Sequence, residues 1–445
     1  MSAAAPVPVR PPTARHALVA GSVGNFVEWY EFGVYGSFAT VIAARFFTPD
    51  GGDRGQALIA TYAAFAIAFF FRPLGALLFG RLADREGRRP ALVLAVSLMT
   101  GATFLIGVLP AYSAVGALAP WLLTLLRCVQ GLSAGGEFGG AVSLLTETAP
   151  AGRRGRHGAW QSFTVALGLL TGAGLAAGLA TLLSESALYA WGWRVPFLLA
   201  LPLGAVALWL RLRLPESGPP PRPTAPAPGR AGTRGRPQRP VPVDGSAPAQ
   251  MLGAVVLGVG RIMGWSAAGY TFLVVLPSYL QATLGTTFQQ ALAATFVANL
   301  GFAVAILPAG VLSDRVGRRA VMLAGSILVA LTAVPVLHLL RDPGTALAAK
   351  AALLAAAGAM IGLLAGPGPA LLAEMFPTRV RSTGLGLAYA LSNAVFSGCA
   401  GLIITTLVRH TGNPDIPAFY AAGTCALAVP ALLSLRPDDH LRPLR

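Results

Sequence analysis

The chain has 445 residues, of which 55% are hydrophobic and only 11% are charged, and its mean hydropathy is +0.65. So few polar residues cannot cover a soluble globule of this size, and the composition therefore excludes an ordinary soluble protein. The formal net charge of +16 is typical of nucleic-acid binding in a soluble protein, so the placement of the basic residues decides what it means here.

Apolar runs long enough to cross a bilayer recur along the chain, since about 20 residues span the hydrocarbon. They predict an all-α integral membrane fold with twelve transmembrane helices. Residues 213–250 separate the sixth helix from the seventh, and this proline- and arginine-rich segment cannot bury an apolar face, so we predict a disordered cytoplasmic linker. The predicted spans are 17–42, 57–80, 90–110, 118–148, 158–183, 192–212, 251–281, 287–312, 320–341, 346–374, 383–408 and 415–435.

The same pattern predicts the domain organisation. Two six-helix bundles, 17–212 and 251–435, lie between a tail at 1–16 and a tail at 436–445. If both termini are cytoplasmic, most of the 33 basic residues fall in inner loops and tails, as the positive-inside rule requires. The basic charge then orients the protein in the membrane, and we expect no nucleic-acid partner.

Two motifs occur once in each half. The loop GRLADREGRR from Gly80 returns as GVLSDRVGRR from Gly310, and Glu147-x-x-Pro followed by arginine returns as Glu374-x-x-Pro followed by Arg379. Two motifs repeated at nearly the same distance indicate a duplication, and such repeats place a substrate site between the halves. A plain positive-inside loop is the alternative to a gate made of salt bridges between the halves. The candidate gate residues are Gly80, Asp84, Arg85, Gly87, Arg88, Glu147, Asp314, Arg315, Gly317, Arg318, Glu374 and Arg379.

Charged residues inside the predicted spans form a second group of candidates. Gly24, Glu28, Glu31 and Tyr35 share one stripe of the first helix, and acids in a membrane helix face protein or water. Arg127 lies at a depth that allows it to meet Glu31. We expect Glu28, Glu31 and Arg127 to couple transport to protons; a purely structural ion pair is the alternative, and either acid is a candidate proton carrier.

Other residues have more open roles. Arg72 precedes Pro73, which favours a structural or gating role, and Glu137 lies in a glycine-dense segment that favours close helix packing. Arg261 is predicted near the midplane, where its fork suits a carboxylate, although an internal salt bridge is equally compatible. The candidate substrate-binding residues are Arg261, Tyr35, Trp265, Tyr270, Gln161 and Asn393.

Other classes of function find no support in the sequence. The three cysteines lie in apolar segments and the five histidines are scattered, so the pattern contains no metal site and implies no cofactor. No phosphate-binding Gly-x-x-x-x-Gly-Lys-Ser/Thr loop exists, which excludes direct ATP drive by this chain. No nucleophile and base set indicates an enzyme.

Several motifs together resemble the metabolite:proton symporter branch of the major facilitator superfamily. They are GNFVEWYEF from Gly24, FRPLG from Phe71, the doubled loop, RCVQG from Arg127 with GGE at Glu137, WGWRVP from Trp191 and EMFPTR from Glu374. The resemblance covers nearly the whole chain outside the linker. It implies the major facilitator fold and a bacterial inner-membrane carrier that imports a small polar metabolite with a proton by alternating access.

The resemblance also implies a substrate class. Known members of this branch take proline and betaine, or α-ketoglutarate, citrate and shikimate, and the stretch from Gly158 to Gly204 looks most like the proline/betaine members. The chain departs from the family at Glu31, where Asp is usual, and at Ala390, Ser397 and Gly401, where Asn, Gly and Pro are usual. The exact substrate therefore stays open.

We thus predict a monomeric secondary active transporter in a lipid bilayer, which moves a small carboxylate-bearing metabolite or osmolyte with protons. A dicarboxylate or other organic-acid symporter, an uncoupled facilitator and an efflux carrier are the nearest alternatives. A membrane protein that senses solute without moving it is the alternative from another class.

Overall fold

The computed structural model describes residues 14–49, 52–86, 88–135, 137–150, 152–213, 247–378, 380–442 and 444. The side chains at 14–21, 83, 84, 88, 137 and 247–249 are outside this description. Residues 214–246 of the predicted 213–250 linker, the tail before residue 14, Gly87 and Arg379 therefore lie outside the described residues, and so do the side chains of Asp84, Arg88 and Glu137.

Every regular element in the described part of the chain is a helix, which confirms the all-α prediction. In this part of the chain the long elements group into twelve segments, and ten helices are long and apolar enough to cross a membrane. The segments are α1 (Ala14–Ser37, continued by Ala39–Ile42 and Ala43–Phe47), α2 (Arg54–Glu86), α3 (Arg88–Val108), α4 (Leu118–Ala134 and Glu137–Glu147), α5 (Arg154–Leu182), α6 (Arg194–Leu212), α7 (Ala247–Tyr270, Thr271–Val275 and Leu276–Ala282), α8 (Phe288–Val316), α9 (Arg318–Arg341), α10 (Leu347–Ala365 and Gly368–Met375), α11 (Arg381–Ser392, Asn393–Gly398 and Ala400–Thr411) and α12 (Ile416–Leu433).

Several boundaries differ from the sequence prediction by a few residues, and two of the differences have a local cause. Helix α7 begins at Ala247, four residues before the predicted start, because Pro248 falls in the first turn, where a missing N–H breaks no helical hydrogen bond. The fourth span was predicted as continuous, but its first piece ends at Ala134 with Gly135 as the C-cap. Glycine lowers helix propensity at this point, so the chain can interrupt the helix there.

Helices α7 and α11 each contain one π-helical turn. The turn in α7 is Thr271–Val275, directly after Tyr270, and the turn in α11 is Asn393–Gly398. Such turns often occur at functional sites, because the extra residue redirects the side chains beside it. Both turns adjoin the buried cluster described below.

Glycine contacts bring α2 against α4 in the N-terminal half, and the C-terminal half repeats this packing. A Cβ on Gly131 would lie 2.0 Å from the carbonyl oxygen of Ala68, and one on Gly358 would lie 1.9 Å from that of Ala298. No larger residue fits at either position, since heavy atoms cannot approach so closely. The same close approach in α2–α4 and α8–α10 reflects the duplication seen in the sequence.

The two halves meet along several helix pairs, three of which are marked by close glycine contacts. Helix α5 crosses α8 where a Cβ on Gly155 would lie 2.5 Å from the Gly310 carbonyl oxygen, and α1 meets α7 where Gly36 faces Val274. Helix α2 meets α11 where Gly401 faces the ring of Tyr62. We call the end with the α4–α5 and α8–α9 connections and residues 436–442 the tail end, and the end with the α1–α2 and α7–α8 connections the opposite end.

Candidate transport site and gates

Four charged side chains are buried together in the N-terminal half. Glu28 and Glu31 come from α1, Arg72 from α2 and Arg127 from α4, and they are 7%, 1%, 4% and 1% exposed. Tyr35, one turn beyond Glu31, is fully buried and donates a hydrogen bond to the carbonyl of Thr61. The helical stripe seen in the sequence therefore faces protein.

Arg72 is the ion-pair partner of Glu28. Its Nη2 lies 3.0 Å from Glu28 Oε1, and its guanidinium lies 4.3 Å from the ring centre of Phe69 and 4.8 Å from that of Phe32. The rings offer their negative faces to the cation, so the pair is stabilised although almost no water reaches it. The sequence analysis did not connect Arg72 with Glu28.

Gln130 lies between Glu31 and Arg127, whose depths in the predicted spans allow them to meet directly. Arg127 Nη1 donates to Gln130 Oε1 at 2.7 Å, and Gln130 Nε2 lies 3.5 Å from Glu31 Oε2 and 2.6 Å from Thr103 Oγ1. The carboxylate and the guanidinium therefore communicate through an amide. The amide separates them because it is also held by Thr103 of α3.

Several polar atoms of this cluster have no hydrogen-bond partner among the described residues. They are Glu31 Oε1, Arg127 Nε and Nη2, Arg72 Nε and the hydroxyl of Tyr270. Each buried polar atom without a partner costs roughly 1–3 kcal/mol. Unpaired donors beside an unpaired carboxyl oxygen are what a site for a polar ligand and a proton requires.

Aromatic rings from both halves surround these atoms. Tyr270 of α7 lies 5.5 Å from Phe69 and 6.2 Å from Trp29, measured between ring centres. The Arg127 guanidinium lies 3.7 Å from the ring centre of Tyr35. The charges belong to the N-terminal half, and the C-terminal half covers them with an aromatic residue.

Of the other predicted substrate residues of the C-terminal half, Trp265 and Asn393 lie beside Tyr389, whereas Arg261 lies at the end of α12. Trp265 packs against Tyr389 at 5.8 Å, and Asn393 begins the π turn of α11, donating to the Tyr389 carbonyl and accepting from Ser397. Arg261 instead donates to the Ala431 carbonyl and to Ser434 Oγ at the end of α12. The structure therefore does not bring Arg261 to the central charges.

Gln161, also a predicted substrate residue, lies in a contact between α5 and α1. Its Nε2 lies 3.4 Å from Asn25 Oδ1, while Asn25 Nδ2 donates to Thr164 Oγ1 at 2.7 Å. The side chain is 4% exposed and its Oε1 has no partner. These contacts join two helices of the same half.

At the tail end, ion pairs cross between the halves in a reciprocal manner. Arg381 Nη1 lies 2.6 Å from Glu147 Oε1, and Arg154 Nη1 lies 3.7 Å from Glu374 Oε1. Glu147 and Glu374 are equivalent in the repeat, and so are Arg154 and Arg381. Each copy of the arginine therefore reaches the glutamate of the other copy, an arrangement that aligning the repeats could have indicated.

The loop motif of the C-terminal half takes part in the same contact. Asp314 accepts hydrogen bonds from the backbone N–H groups of Gly155 and Arg156, at 2.7 and 2.9 Å, and so caps the start of α5. Arg318 lies between Asp314 (2.7 Å) and Glu374 (3.1 Å). This copy of the loop therefore contacts the opposite half through backbone hydrogen bonds, while the ion pairs of Arg318 stay within the C-terminal half.

Glycine and arginine complete this loop motif in different ways. Gly317 has φ +93°, where a side chain would be strained, and the Pro437 carbonyl oxygen lies 2.9 Å from the position of a Cβ there. Arg315 lines a groove with Arg153, Arg156 and Trp160. In the first copy Gly80 has open space around it and Arg85 is exposed.

The halves also touch at the opposite end. The hydroxyl of Tyr62 lies 2.6 Å from Ser278 Oγ, and Thr40 Oγ1 donates to Gln281 Oε1 at 2.8 Å. Farther out, Arg409 forms an ion pair with Asp53. Contacts at both ends close over the central cluster, so the structure is an occluded arrangement.

Comparison with known proteins yields two family matches and several relatives. Residues 17–219 match the family model "Sugar (and other) transporter", and residues 251–444 match "Major Facilitator Superfamily". The chain is 34% identical to the ectoine/proline transporter ProP of Corynebacterium glutamicum, over 98% of this chain and 86% of the relative. It is 35% identical to the alpha-ketoglutarate permease of Escherichia coli, over 94% and 92%.

A third relative and a solved structure extend the comparison. The citrate-proton symporter of Klebsiella pneumoniae is 31% identical over 96% of this chain and 94% of the relative. The proton:xylose symporter XylE, solved with 6-bromo-6-deoxy-D-glucose, superimposes with a TM-score of 0.73 over 94% of each chain at 16% identity, which shows a shared fold.

Proposed function

Because the chain belongs to the major facilitator superfamily, with the proline/betaine transporters and related metabolite:proton symporters, we propose that it imports a small carboxylate-bearing osmolyte together with protons. It is a multi-pass membrane transporter rather than an enzyme. The central observation is the buried cluster of unpaired donors and an unpaired carboxyl oxygen at the contact between the halves.

Arg127 is the proposed anchor for the substrate carboxylate. It is 1% exposed, and two of its three nitrogens have no hydrogen-bond partner among the residues that the structure describes. A guanidinium fork binds both oxygens of a carboxylate, and such charge-assisted hydrogen bonds are about twice as strong as neutral ones. The unpaired Tyr270 hydroxyl, from the other half, is a second donor to the same ligand.

The charge of the cluster favours a substrate with one carboxylate. Glu28 neutralises Arg72, which leaves Arg127 as the cation whose charge a ligand would balance once Glu31 is protonated. The ammonium group of a zwitterion such as proline or betaine would lie against aromatic faces, for example those of Trp29 and Tyr270. We therefore favour proline- or betaine-like substrates.

An organic acid with two carboxylates is the second candidate. Arg72 and Arg127 both lie over the ring of Phe32, at 4.8 and 5.3 Å, so one ligand could contact both cations if Glu28 released Arg72. This alternative requires the Glu28–Arg72 pair to break, and for that reason we rank it second.

Glu31 is the proposed proton carrier. It is 1% exposed, has one oxygen without a partner, and forms no ion pair in the described part of the chain. Glu28, by contrast, faces Arg72 directly. Ionisable residues inside membrane segments mark proton and substrate pathways, and a proton on Glu31 would remove a buried charge whose link to Arg127 runs only through Gln130.

The gates support alternating access as the mechanism. Opening the tail end would break the Glu147–Arg381 and Arg154–Glu374 pairs, and opening the opposite end would break the Tyr62–Ser278 contact. We further propose that both termini and the tail end are cytoplasmic, that the membrane is a bacterial inner membrane, and that the functional unit is a monomer.

Uptake into proteoliposomes tests the proposal. Purified protein is given labelled proline, betaine, α-ketoglutarate and citrate in turn, with and without an inwardly directed proton gradient. We expect saturable proline or betaine accumulation that depends on the gradient. Uptake without any effect of the gradient would indicate an uncoupled facilitator, gradient-driven exit would indicate efflux, and binding without uptake would indicate a sensor; each contradicts the proposal.

A further inference from the structure

A polar cavity lies at the tail end, away from the central cluster. It has a volume of about 460 Å³ and lies between α7, the start of α9, the end of α10 and residues 434–444. Its lining includes six arginines, at positions 154, 261, 318, 319, 436 and 442, but only two carboxylates, Glu374 and Asp439. Like charges at this density repel unless counter-charges are nearby.

Some of these arginines have carboxylate partners. Arg318 pairs with Asp314 and Glu374, Glu374 also faces Arg154, and Arg442 pairs with Asp438 and Asp439 at 3.3 and 3.6 Å. Four carboxylates, two of them outside the lining, therefore pair with three of the six arginines. In the described residues the cluster keeps an excess of two positive charges.

Of the other three arginines, Arg436 is exposed to water, so the charges that need compensation are those of Arg261 and Arg319. Arg261 Nε donates to the Ala431 carbonyl at 3.2 Å and Nη2 to Ser434 Oγ at 2.9 Å, and Arg319 Nη1 donates to the Leu435 carbonyl at 3.2 Å. Neither forms an ion pair with a described residue, and Arg261 Nη1 has no hydrogen bond there. Arg261 is nevertheless only 8% exposed.

Neutral acceptors do not compensate these charges. The carbonyls belong to the end of α12, where the helix carries a partial negative charge of about half a unit. That partial charge orients the two guanidiniums, but it does not balance two full charges in a place with little water. An anion in the cavity would.

We propose that this cavity binds a small oxyanion with two negative charges, such as inorganic phosphate or the terminal phosphate of a larger molecule, between Arg261 and Arg319. Two arginine forks facing one cavity match the several acceptor oxygens of a phosphate group. The volume admits phosphate with room for a small organic substituent or bound water. This assignment gives Arg261 an anion-binding role at the tail end rather than a role in the central substrate site.

The bound anion would also strengthen the closed tail end. Arg154, from the N-terminal half, donates to the carbonyl of Arg442 at 2.7 Å and faces Glu374, so the cavity wall joins both halves. An anion that draws α7, α9 and residues 436–442 together therefore favours the arrangement in which this wall is intact. Cytoplasmic phosphate would then slow the opening of the gate.

The test is a thermal-unfolding titration of the purified full-length protein at about pH 8, where a phosphate group is mainly the dianion. Sodium phosphate replaces sodium chloride at constant ionic strength, so that general screening does not change. The variants are Arg261→Gln and Arg319→Gln, and the control is Arg341→Gln, which removes a positive charge at the opposite end, where Arg341 pairs with Asp415.

We expect phosphate to raise the unfolding temperature of the wild type and of Arg341→Gln in a saturable way. Arg261→Gln and Arg319→Gln should each weaken the apparent affinity at least tenfold, and Arg261→Lys should weaken it less because the charge remains. Because Arg319 is only partly buried, its variant is informative even if Arg261→Gln folds poorly.

Two results would overturn the proposal. One is a phosphate effect that does not saturate or is equal in the wild type and both cavity variants. The other is stabilisation by vesicles containing phosphatidic acid without any effect of free phosphate, which would assign the arginines to lipid headgroups instead of a soluble anion.

Discussion

The tail-end gate and the central cluster use the duplication in opposite ways. At the gate both copies keep their charges, since Glu147 and Glu374 each face an arginine from the other half. In the centre only the N-terminal half has charges: the positions that the repeat makes equivalent to Arg72 and Arg127 are Phe302 and Leu354, both buried.

Burial explains the difference. A gate residue would regain contact with water when the gate opens. Separating its ion pair then costs little free energy, so both copies can keep the charge. A charge in the membrane interior costs several kcal/mol unless it is paired or serves the function. The equivalent positions in the second copy carry no charge and therefore avoid this cost.

The largest effect is expected from making the centre symmetrical. Arg127→Leu introduces the residue found at the equivalent position in the other half, and it removes two donors proposed to bind the substrate carboxylate. At about 1.5 kcal/mol for each charged hydrogen bond, uptake at low substrate concentration should fall roughly 100-fold. Initial uptake rates in proteoliposomes measure it. Uptake by Arg127→Lys should lie between that of the wild type and that of Arg127→Leu. If Arg127→Leu kept more than a tenth of wild-type uptake, Arg127 would be excluded as the anchor.

Glu31→Gln tests the division of roles between the two acids. The amide keeps the shape of the carboxyl group but cannot take up and release a proton, so accumulation driven by a proton gradient should disappear. The accumulation ratio that is lost is roughly tenfold for each pH unit of gradient and each coupled proton. Exchange of labelled for unlabelled substrate should remain. Comparing the two assays on one preparation separates coupling from binding, and unimpaired gradient-driven accumulation would remove Glu31 from the coupling mechanism.

Glu28→Gln should act mainly on stability. It leaves Arg72 buried without its counter-charge, which typically costs about 3–5 kcal/mol of unfolding free energy. The double variant Glu28→Gln/Arg72→Met removes both charges and should recover much of the loss. Thermal unfolding in detergent compares the wild type, the single variant and the double variant. Equal stability of the two variants would show that the unpaired charge of Arg72 is not the cause of the loss.

The two copies at the gate are expected to differ modestly. Glu374 has a side chain 9% exposed and contacts two arginines, whereas the side chain of Glu147 is 39% exposed. Glu374→Gln should therefore increase the population open at the tail end by about tenfold, and Glu147→Gln by about threefold. Spin-label distances between α4 and α10 measure the open and closed populations. An equal shift in both variants would show that the burial of an ion pair does not determine how strongly it stabilises the closed gate.

The smallest effect is expected at the exposed Asp53–Arg409 pair. The backbone N–H of Gly55, then that of Gln56 and the Arg409 guanidinium, lower the pKa of Asp53 from its usual 3.8. A carboxylate whose pKa is lowered by folding stabilises the folded state fully at pH values above its unfolded-state pKa. That stabilisation is lost only as the pH falls through the lower, folded-state pKa. The pair should therefore add no pH dependence between about pH 5 and 8.

Asp53→Asn measures this directly. Its uptake should stay within about twofold of wild type, as expected for exposed ion pairs, with the same pH profile. A profile that shifts near neutral pH in this variant would place part of the proton response at the opposite end instead of at Glu31.

Residue patterns along the chain were sufficient for much of the architecture. The repeated motifs at Gly80 and Gly310 indicated two halves, and the apolar runs predicted the all-α fold, because both depend on neighbours in sequence. The stripe of Glu28 and Glu31 was visible from helical periodicity alone. These are local properties, and one sequence records them directly.

Partners distant in the chain could not be obtained in this way. Gln130 lies between Glu31 and Arg127, and Arg381 faces Glu147, although charge type and spacing allow other pairings equally well. Arg261 has a depth along α7 that the sequence indicated, yet its contact with α12 depends on how the two helices are rotated and packed. The sequence by itself thus determined which segments are apolar enough to cross the membrane and that Glu28, Glu31 and Arg127 lie within them. Tertiary packing alone decided which buried group meets which, since the partners lie 99 residues (Gln130 and Glu31) and 170 residues (Arg261 and Ala431) apart in the chain.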